Sequence, residues 1–360
     1  MKKNFGYLLL LAFGLVLSSC GNADDDVNFD IRDNELGIGK EPDKCLGFDE
    51  NELLLSIQDE FTTLPGKVSI LFKVSDLLGN PISGIGADQF TIYEQGRNDA
   101  CFNLISGSES QARISPNSQV FHNNTLLVLD LSNSVLSSSL EELKTASTSF
   151  ITNVMPASES ESFKMAIYWF DGENELHLLN DLTSSTEELT TAIAGITSDI
   201  STDVSTDLYG AVIKSTKKAE ELLKTNTESI GAASIVLFTD GTDQASRYRE
   251  SDAIKAVKEA DRNISYYTIG LGAEIDTGVL AEIGKTASVF AANKAELENT
   301  FNQISQRVAQ QANSFYLFEY CTPKRDGSGE SNLVIQLTAG SLQGAVQTKF
   351  NAKGFTGGCE

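Results

Sequence analysis

The 360-residue chain reads as an α/β protein: a doubly wound, mostly parallel sheet with helices on both faces, inserted in or flanked by a small β-sandwich-like domain. Three observations predict this. Residues 125–129 (TLLVL) are an unbroken run of β-favouring side chains, the mark of a strand buried on both faces of a parallel sheet. Between residues 122 and 313 such runs alternate with amphipathic stretches, as in successive βα units. On either side of that region the apolar period drops to two, as in strands with one face buried and one wet.

Residues 1–19 read as a targeting segment. Lys2 and Lys3 precede an apolar stretch at residues 7–17 (YLLLLAFGLVL) that is too short to span a bilayer. Leu17-Ser18-Ser19-Cys20 follows and resembles the lipobox of bacterial lipoproteins, which implies a chain cleaved before Cys20 and lipidated on it; the alternative is an ordinary secretory signal with a chance cysteine. Residues 20–44 are acidic and lack apolar periodicity, so they read as a solvated tether. A coil of that length reaches roughly 25–30 Å. Its Ala23-Asp24-Asp25-Asp26 run resembles the acidic export signals of surface lipoproteins in Bacteroidota, or is a plain acidic spacer. These resemblances imply a protein of the bacterial cell envelope, expected to be lipid-anchored in the outer membrane and to face the periplasm or the surface.

Lipidation of Cys20 leaves Cys45, Cys101, Cys321 and Cys359, an even number that in an oxidising compartment reads as two disulfides with three connectivities open. The pairing Cys45–Cys101 and Cys321–Cys359 is favoured because each pair brackets one strand-rich segment. Zinc is disfavoured as the use of these cysteines, since no C-x₂-C spacing occurs. Once Lys2 and Lys3 leave with the signal, 25 basic face 50 acidic side chains, a balance that repels nucleic acid and anionic headgroups.

Residues 45–115 form the first part of the sandwich. Val68, Ile70, Phe72 and Val74 alternate, then Gly79-Asn80-Pro81 turns the chain, and Phe90 and Ile92 alternate up to Gly96. Residues 314–360 supply the second part, with short strands at 315–320, 333–337 and 346–350 between glycine-rich turns. Neither flank is large enough to bury a core alone, so one sandwich built from both is the economical arrangement. Between them, strands are expected near 126–131, 164–170, 176–179, 234–239, 265–269 and 288–291. Helices are expected near 140–154, 187–196, 208–224, 251–262, 277–285 and 294–311. The helix at 208–224 places Leu208, Ala211, Val212, Ala219 and Leu222 near one face.

The first central strand runs into Asp130-x-Ser132-x-Ser134, at the carboxyl end where open α/β sheets bind ligands. One carboxylate and two hydroxyls at spacing two are hard oxygen donors, suited to Mg²⁺ or Mn²⁺. Taken alone, the motif could equally be a turn whose serines cap the next helix. Thr206 stands just before a helix in S-T-D-L-Y-G-A-V, and Asp240 ends the strand SIVLFT within T-D-G-T-D.

Taken in this order, Asp130-x-Ser132-x-Ser134, Thr206 followed by Leu-Tyr-x-Ala, and Thr239-Asp240-Gly241 resemble the von Willebrand factor type A domain over about 190 residues. The resemblance implies a metal-ion-dependent adhesion site. Ser132, Ser134 and Thr206 would offer hydroxyl oxygens. Asp130 and Asp240 would balance the charge of Mg²⁺ or Mn²⁺, wholly or partly through water. An Asp or Glu carboxylate of a protein partner would fill the open position. Two departures stand out. Ser205 precedes Thr206 where the family often has glycine, and the repeat S-T-D-V-S-T-D-L offers Thr202 as a rival. Asp243, beside the site, reads as a solvated loop or cap residue, with a supporting role behind the metal ligands as the alternative. The segment Val74-x-Asp76-x-x-Gly79-x-Pro81-Ile82-x-Gly84 resembles the β-segment that precedes type A domains in some secreted bacterial proteins.

The expected function is therefore non-catalytic binding of a protein partner. A metal-independent scaffold for envelope assembly is the alternative, and a metal-assisted phosphohydrolase is a second. The histidines are His122, expected in a loop, and His177, expected with Trp169 as a packing residue; no G-x-S-x-G elbow frames a serine. Ser132 stands where an Asp-x-Asp phosphohydrolase needs its second aspartate, and there is no glycine-rich phosphate loop.

Overall fold

A computed structural model describes residues 39–96, 98–115, 121–160, 162–225, 230–325 and 329–359. The targeting segment, Cys20 and most of the acidic tether lie outside these residues. The chain begins with β1 (Leu53–Thr63), β2 (Lys67–Asp76), β3 (Phe90–Gln95), β4 (Asn103–Ile105), a single turn α1 (Gly107–Ser110) and β5 (Arg113–Ser115). The central region follows: β6 (Phe121–Asp130), α2 (Asn133–Ser138), α3 (Leu140–Val154), β7 (Phe163–Phe170), β8 (His177–Thr183), α4 (Thr186–Ala194), α5 (Leu208–Thr225), β9 (Ile230–Thr239), α6 (Glu250–Glu259), β10 (Ile264–Leu271), α7 (Thr277–Ile283), β11 (Ala287–Ala291) and α8 (Leu297–Ala312). Three strands close the chain: β12 (Phe315–Cys321), β13 (Glu330–Ala339) and β14 (Leu342–Asn351).

The central sheet has the order β11-β10-β9-β6-β7-β8, parallel except for the antiparallel edge strand β8. Strand β6 is flanked by β7 and β9, so its side chains divide between two helical layers. Leu127 and Leu129 enter a core with Phe150 of α3, Leu189 of α4 and Phe301 of α8. Leu126 and Val128 enter the opposite core with Val212 of α5, Val257 of α6 and Leu280 of α7. Burial on both faces explains the unbroken apolar run.

The flanking strands form two four-stranded antiparallel sheets, β1-β2-β12-β5 and β14-β13-β3-β4, which share one core. The chain leaves after β5 and returns as β12, and these two strands pair directly, Phe318 against Ile114. Strand β12 also pairs with β2, and its Phe318 ring lies 5.0 Å from Phe90 of the facing sheet. The buried Glu94 on β3 accepts from Tyr320 Oη (2.8 Å) and Thr322 Oγ1 (2.9 Å), stitching the two sheets with a satisfied polar contact. Leu71, Phe315 and Leu317, on the outer face of the β2–β12 pair, pack on Ala232 of β9. The disulfides are Cys45–Cys101 and Cys321–Cys359, with Cα separations of 5.8 and 5.5 Å.

Several elements differ from their sequence reading. Strand β1 has no counterpart in it, because a register shift between Ile57 and Asp59 interrupts the alternation begun by Leu53, Leu55 and Ile57. His122 lies within β6 instead of a loop; Asn123 and Asn124 are buried beside it and disguise the strand's start. The helix expected from residue 294 begins with a 3₁₀ turn (Lys294–Glu296), ahead of α8.

The shared core predicts that Phe318→Ala, in the returning flank, destabilises the protein by about 3–5 kcal/mol and strips hydrogen-exchange protection from β2 in the departing flank. A loss below about 1 kcal/mol with β2 still protected would mean that the flanks fold independently.

Candidate functional site

Three loops converge at the carboxyl end of β6. In the first, Asp130 ends the strand with no exposed surface. Its Oδ1 accepts from the Ser132 backbone N–H (2.9 Å) and its Oδ2 from Thr239 Oγ1 (2.6 Å). The Thr239 hydroxyl ends β9, so the parallel pairing of β6 with β9 is what delivers it. In the next loop Asp240 turns outward and accepts at Oδ1 from Ser134 Oγ (2.7 Å), and Ser134 Oγ lies 3.2 Å from Ser132 Oγ. Ser132 is buried at the start of α2, whereas Ser134 is exposed.

The third loop carries Thr206, which is buried. It is held on both sides: the Asn133 N–H donates to Val204 O (3.3 Å), and Gln244 and Ala245 N–H donate to Thr206 O (2.9 and 3.1 Å). The rival Thr202 directs its hydroxyl to Glu173 Oε1 instead. Asp243 caps α5, accepting from Tyr209 N–H (3.2 Å), and also accepts from Ser246 N–H (3.0 Å). Asp130, Ser132, Ser134 and Asp240 thus form one hydrogen-bonded cluster, and the Thr206 segment is bonded to both of the other loops.

Burial and acidic neighbours set the electrostatics here. Desolvation pushes the Asp130 carboxyl up to about 6, with Asp240 adding repulsion and the Thr239 and Ser132 donors partly offsetting it. Asp240 is also raised, by burial first and by Glu274, against the Ser134 hydrogen bond. Two carboxyls thus stand beside a further acid, Glu274, with only neutral donors opposing their shifts.

The donor set fits a small, hard dication. Carboxylate and hydroxyl oxygens are its preferred ligands, and an octahedral ion with bonds near 2.05 Å has adjacent ligands about 2.9 Å apart. The Ser132–Ser134 and Ser134–Asp240 oxygen separations bracket that edge. Beside the cluster a cavity of about 420 Å³ opens, lined by Ser134, Asp240, Leu271, Glu274, Asn293 and Lys294.

Sequence alone gives Thr239 no role of its own and does not single out Asp171, which is buried at the end of β7 and whose backbone O accepts from Asp207 N–H (2.7 Å). Thr239 stood within the quoted T-D-G; Asp171-Gly172 after an apolar strand was the available signal for the second.

Residues 124–307, about half of the chain, match the family model of the von Willebrand factor type A domain. No curated protein sequence matches. Similar solved structures include the conserved hypothetical protein BatB from Bacteroides thetaiotaomicron, 18% identical over 52% of this chain and 98% of that one, with a TM-score of 0.41. The vWF domain of the type V pili tip protein Mfa5 from Porphyromonas gingivalis is 16% identical over 52% and 95%, with a TM-score of 0.41. The manganese-loaded Plasmodium vivax TRAP protein is 11% identical over 70% and 99%, with a TM-score of 0.44.

The raised carboxyls carry a pH prediction. A carboxyl raised in the folded state contributes stability that is fully present below its ordinary value near 3.8 and is lost as pH rises through about 6. Chelator-treated protein should therefore lose stability to urea between pH 4 and 6, and Asp130→Asn should flatten that slope. Glu60, raised from 4.5 to about 7 mainly by burial, adds a decline that overlaps this window, runs on to about pH 7 and is left in place by the substitution.

Proposed function

The chain belongs to the von Willebrand factor type A domain family, and we propose that it is a cell-envelope lipoprotein that grips a protein partner through a Mg²⁺-dependent adhesion site. The observation that carries this reading is the Ser132–Ser134–Asp240 oxygen cluster at octahedral-edge spacing, braced from beneath by Asp130 and alongside by the Thr206 segment. Ser132, Ser134 and Thr206 would supply neutral oxygens, and Asp130 and Asp240 would balance the charge. With mostly neutral direct ligands the ion retains Lewis acidity toward a partner's Asp or Glu carboxylate. Exposed Ser134 and the adjoining cavity leave room for that side chain. No bond is broken in this role, so the protein acts as a binder and not as an enzyme.

The lipobox-like Leu17-Ser18-Ser19-Cys20 supports anchoring of the mature chain by lipid on Cys20. One acyl-modified terminus and an acidic tether would present the binding domain away from the outer membrane while the net negative charge keeps it off anionic headgroups. Cys20→Ala is expected to release the protein into the soluble fraction of cells; retention in the membrane fraction would remove the lipid-anchor reading.

The adhesion site predicts that soluble chain from Gly21, stripped with chelator, gains thermal stability on titration with Mg²⁺ or Mn²⁺. A ligand at one hundred times Kd that binds only the folded state adds about 2.7 kcal/mol. Ser134→Ala and Asp130→Ala should each abolish the Mg²⁺ gain. A response that survives both substitutions would move the metal elsewhere; a silent wild type whose partner binding ignores chelator would favour the metal-independent scaffold.

A further inference from the structure

A second group of ligating side chains lies at the β7–β8 turn, outside the cluster around Ser134. One ligating atom each from Asp171, Glu173 and His177 lies within 4.8 Å of the other two. The hairpin builds this group. Trp169 and His177 are paired across β7 and β8, and their rings stack at 4.0 Å with 13° between planes. That stack aims the imidazole edge at the turn.

His177 Nε2 is a buried atom with no hydrogen-bond partner. It faces Asp171 Oδ1 at 3.8 Å and Glu173 Oε2 at 3.6 Å. Both separations exceed hydrogen-bond reach. They lie close to the roughly 3.4 Å between neighbouring ligands of a tetrahedral ion with bonds near 2.1 Å. A buried polar atom without a partner calls for an explanation, and a nitrogen aimed between two carboxylates at ligand-to-ligand spacing has a direct one.

The geometry points to a second metal site, in which Asp171 Oδ1, Glu173 Oε2 and His177 Nε2 bind a divalent transition-metal ion of the Zn²⁺ class. Two carboxylates neutralise the dication, and the imidazole nitrogen selects d-block ions over Mg²⁺ and Ca²⁺. The carboxylates are oriented from behind as ligands usually are. Ser201 Oγ donates to Asp171 Oδ2 (2.6 Å), the Glu173 N–H donates to Asp171 Oδ1 (2.8 Å), and the Thr202 hydroxyl donates to Glu173 Oε1. The nearby Arg247 guanidinium donates to Gly172 O (2.7 and 3.0 Å), 3.9 Å from Asp203. His177 and Glu173 are partly exposed, which gives an ion access from solvent. Ser201 and Thr202 begin the segment that ends in Thr206, so an ion here would also fasten that segment to the end of β7.

The chain contains one tryptophan, and it is the ring stacked on His177, so its emission reports on this site, with Ser134→Ala separating it from any ion at the neighbouring cluster beside Leu129. Chelator-stripped soluble chain is titrated with Ni²⁺, whose open d shell quenches indole fluorescence, and then with Zn²⁺ in competition. One equivalent of Ni²⁺ should quench Trp169, Zn²⁺ should restore emission, and millimolar Mg²⁺ should do neither. Ser134→Ala should titrate like wild type, while Glu173→Gln, which leaves the Trp169–His177 stack in place, should weaken Ni²⁺ by about tenfold or more. Quenching lost in Ser134→Ala, quenching unchanged in Glu173→Gln, or no response to millimolar Ni²⁺ would each overturn the assignment.

Discussion

Asp130 is a carboxylate with no exposed surface at the end of the strand around which the central sheet is ordered. Everything about the site follows from holding it there. Strand β6 needs parallel neighbours on both sides to satisfy its backbone, and one of them, β9, also helps to make the buried acid tolerable. From β9 comes the Thr239 hydroxyl, and from the turn after β6 comes the Ser132 amide. The remaining desolvation penalty appears as a raised pKa, pushed up to about 6. A position that disfavours its own negative charge is one that a cation would stabilise.

The sandwich answers a separate constraint. Eight short strands from two distant pieces of chain share one core only if the chain comes back beside the place it left, and the β5–β12 pairing achieves that. The central region is thus held at both ends by adjacent strands of one sheet. The apolar patch of Leu71, Phe315 and Leu317 against Ala232 adds a packed contact between that sheet and β9. Loops at the carboxyl end of the parallel sheet can then vary without loosening either core.

Much of this was legible in the sequence where the pattern is local. The change from continuous to alternating apolar residues marked the α/β region and its flanks, and each recognised site residue sits at a strand end or helix start that its neighbours announce. What was not legible depends on register. Strand β1 hides behind its bulge, and β6 begins among polar residues because Asn123 and Asn124 are buried. Thr202 and Thr206 share a repeat, and only the fold sends the Thr202 hydroxyl to Glu173 while packing the Thr206 backbone against residues 244 and 245. His177 reads as a packing residue, which it is; its approach to Asp171 and Glu173 requires knowing that it faces Trp169 across an antiparallel edge.

The proposed adhesion site requires hard oxygens from three loops to share one ion. The most direct test is anomalous scattering from crystals of the soluble chain grown with Mn²⁺. A manganese peak is expected within bonding distance, about 2.2 Å, of the Ser132 and Ser134 hydroxyls, with Thr206 and Asp240 around it. A well-ordered site with no peak there, or a peak confined to Asp171, Glu173 and His177, would contradict it.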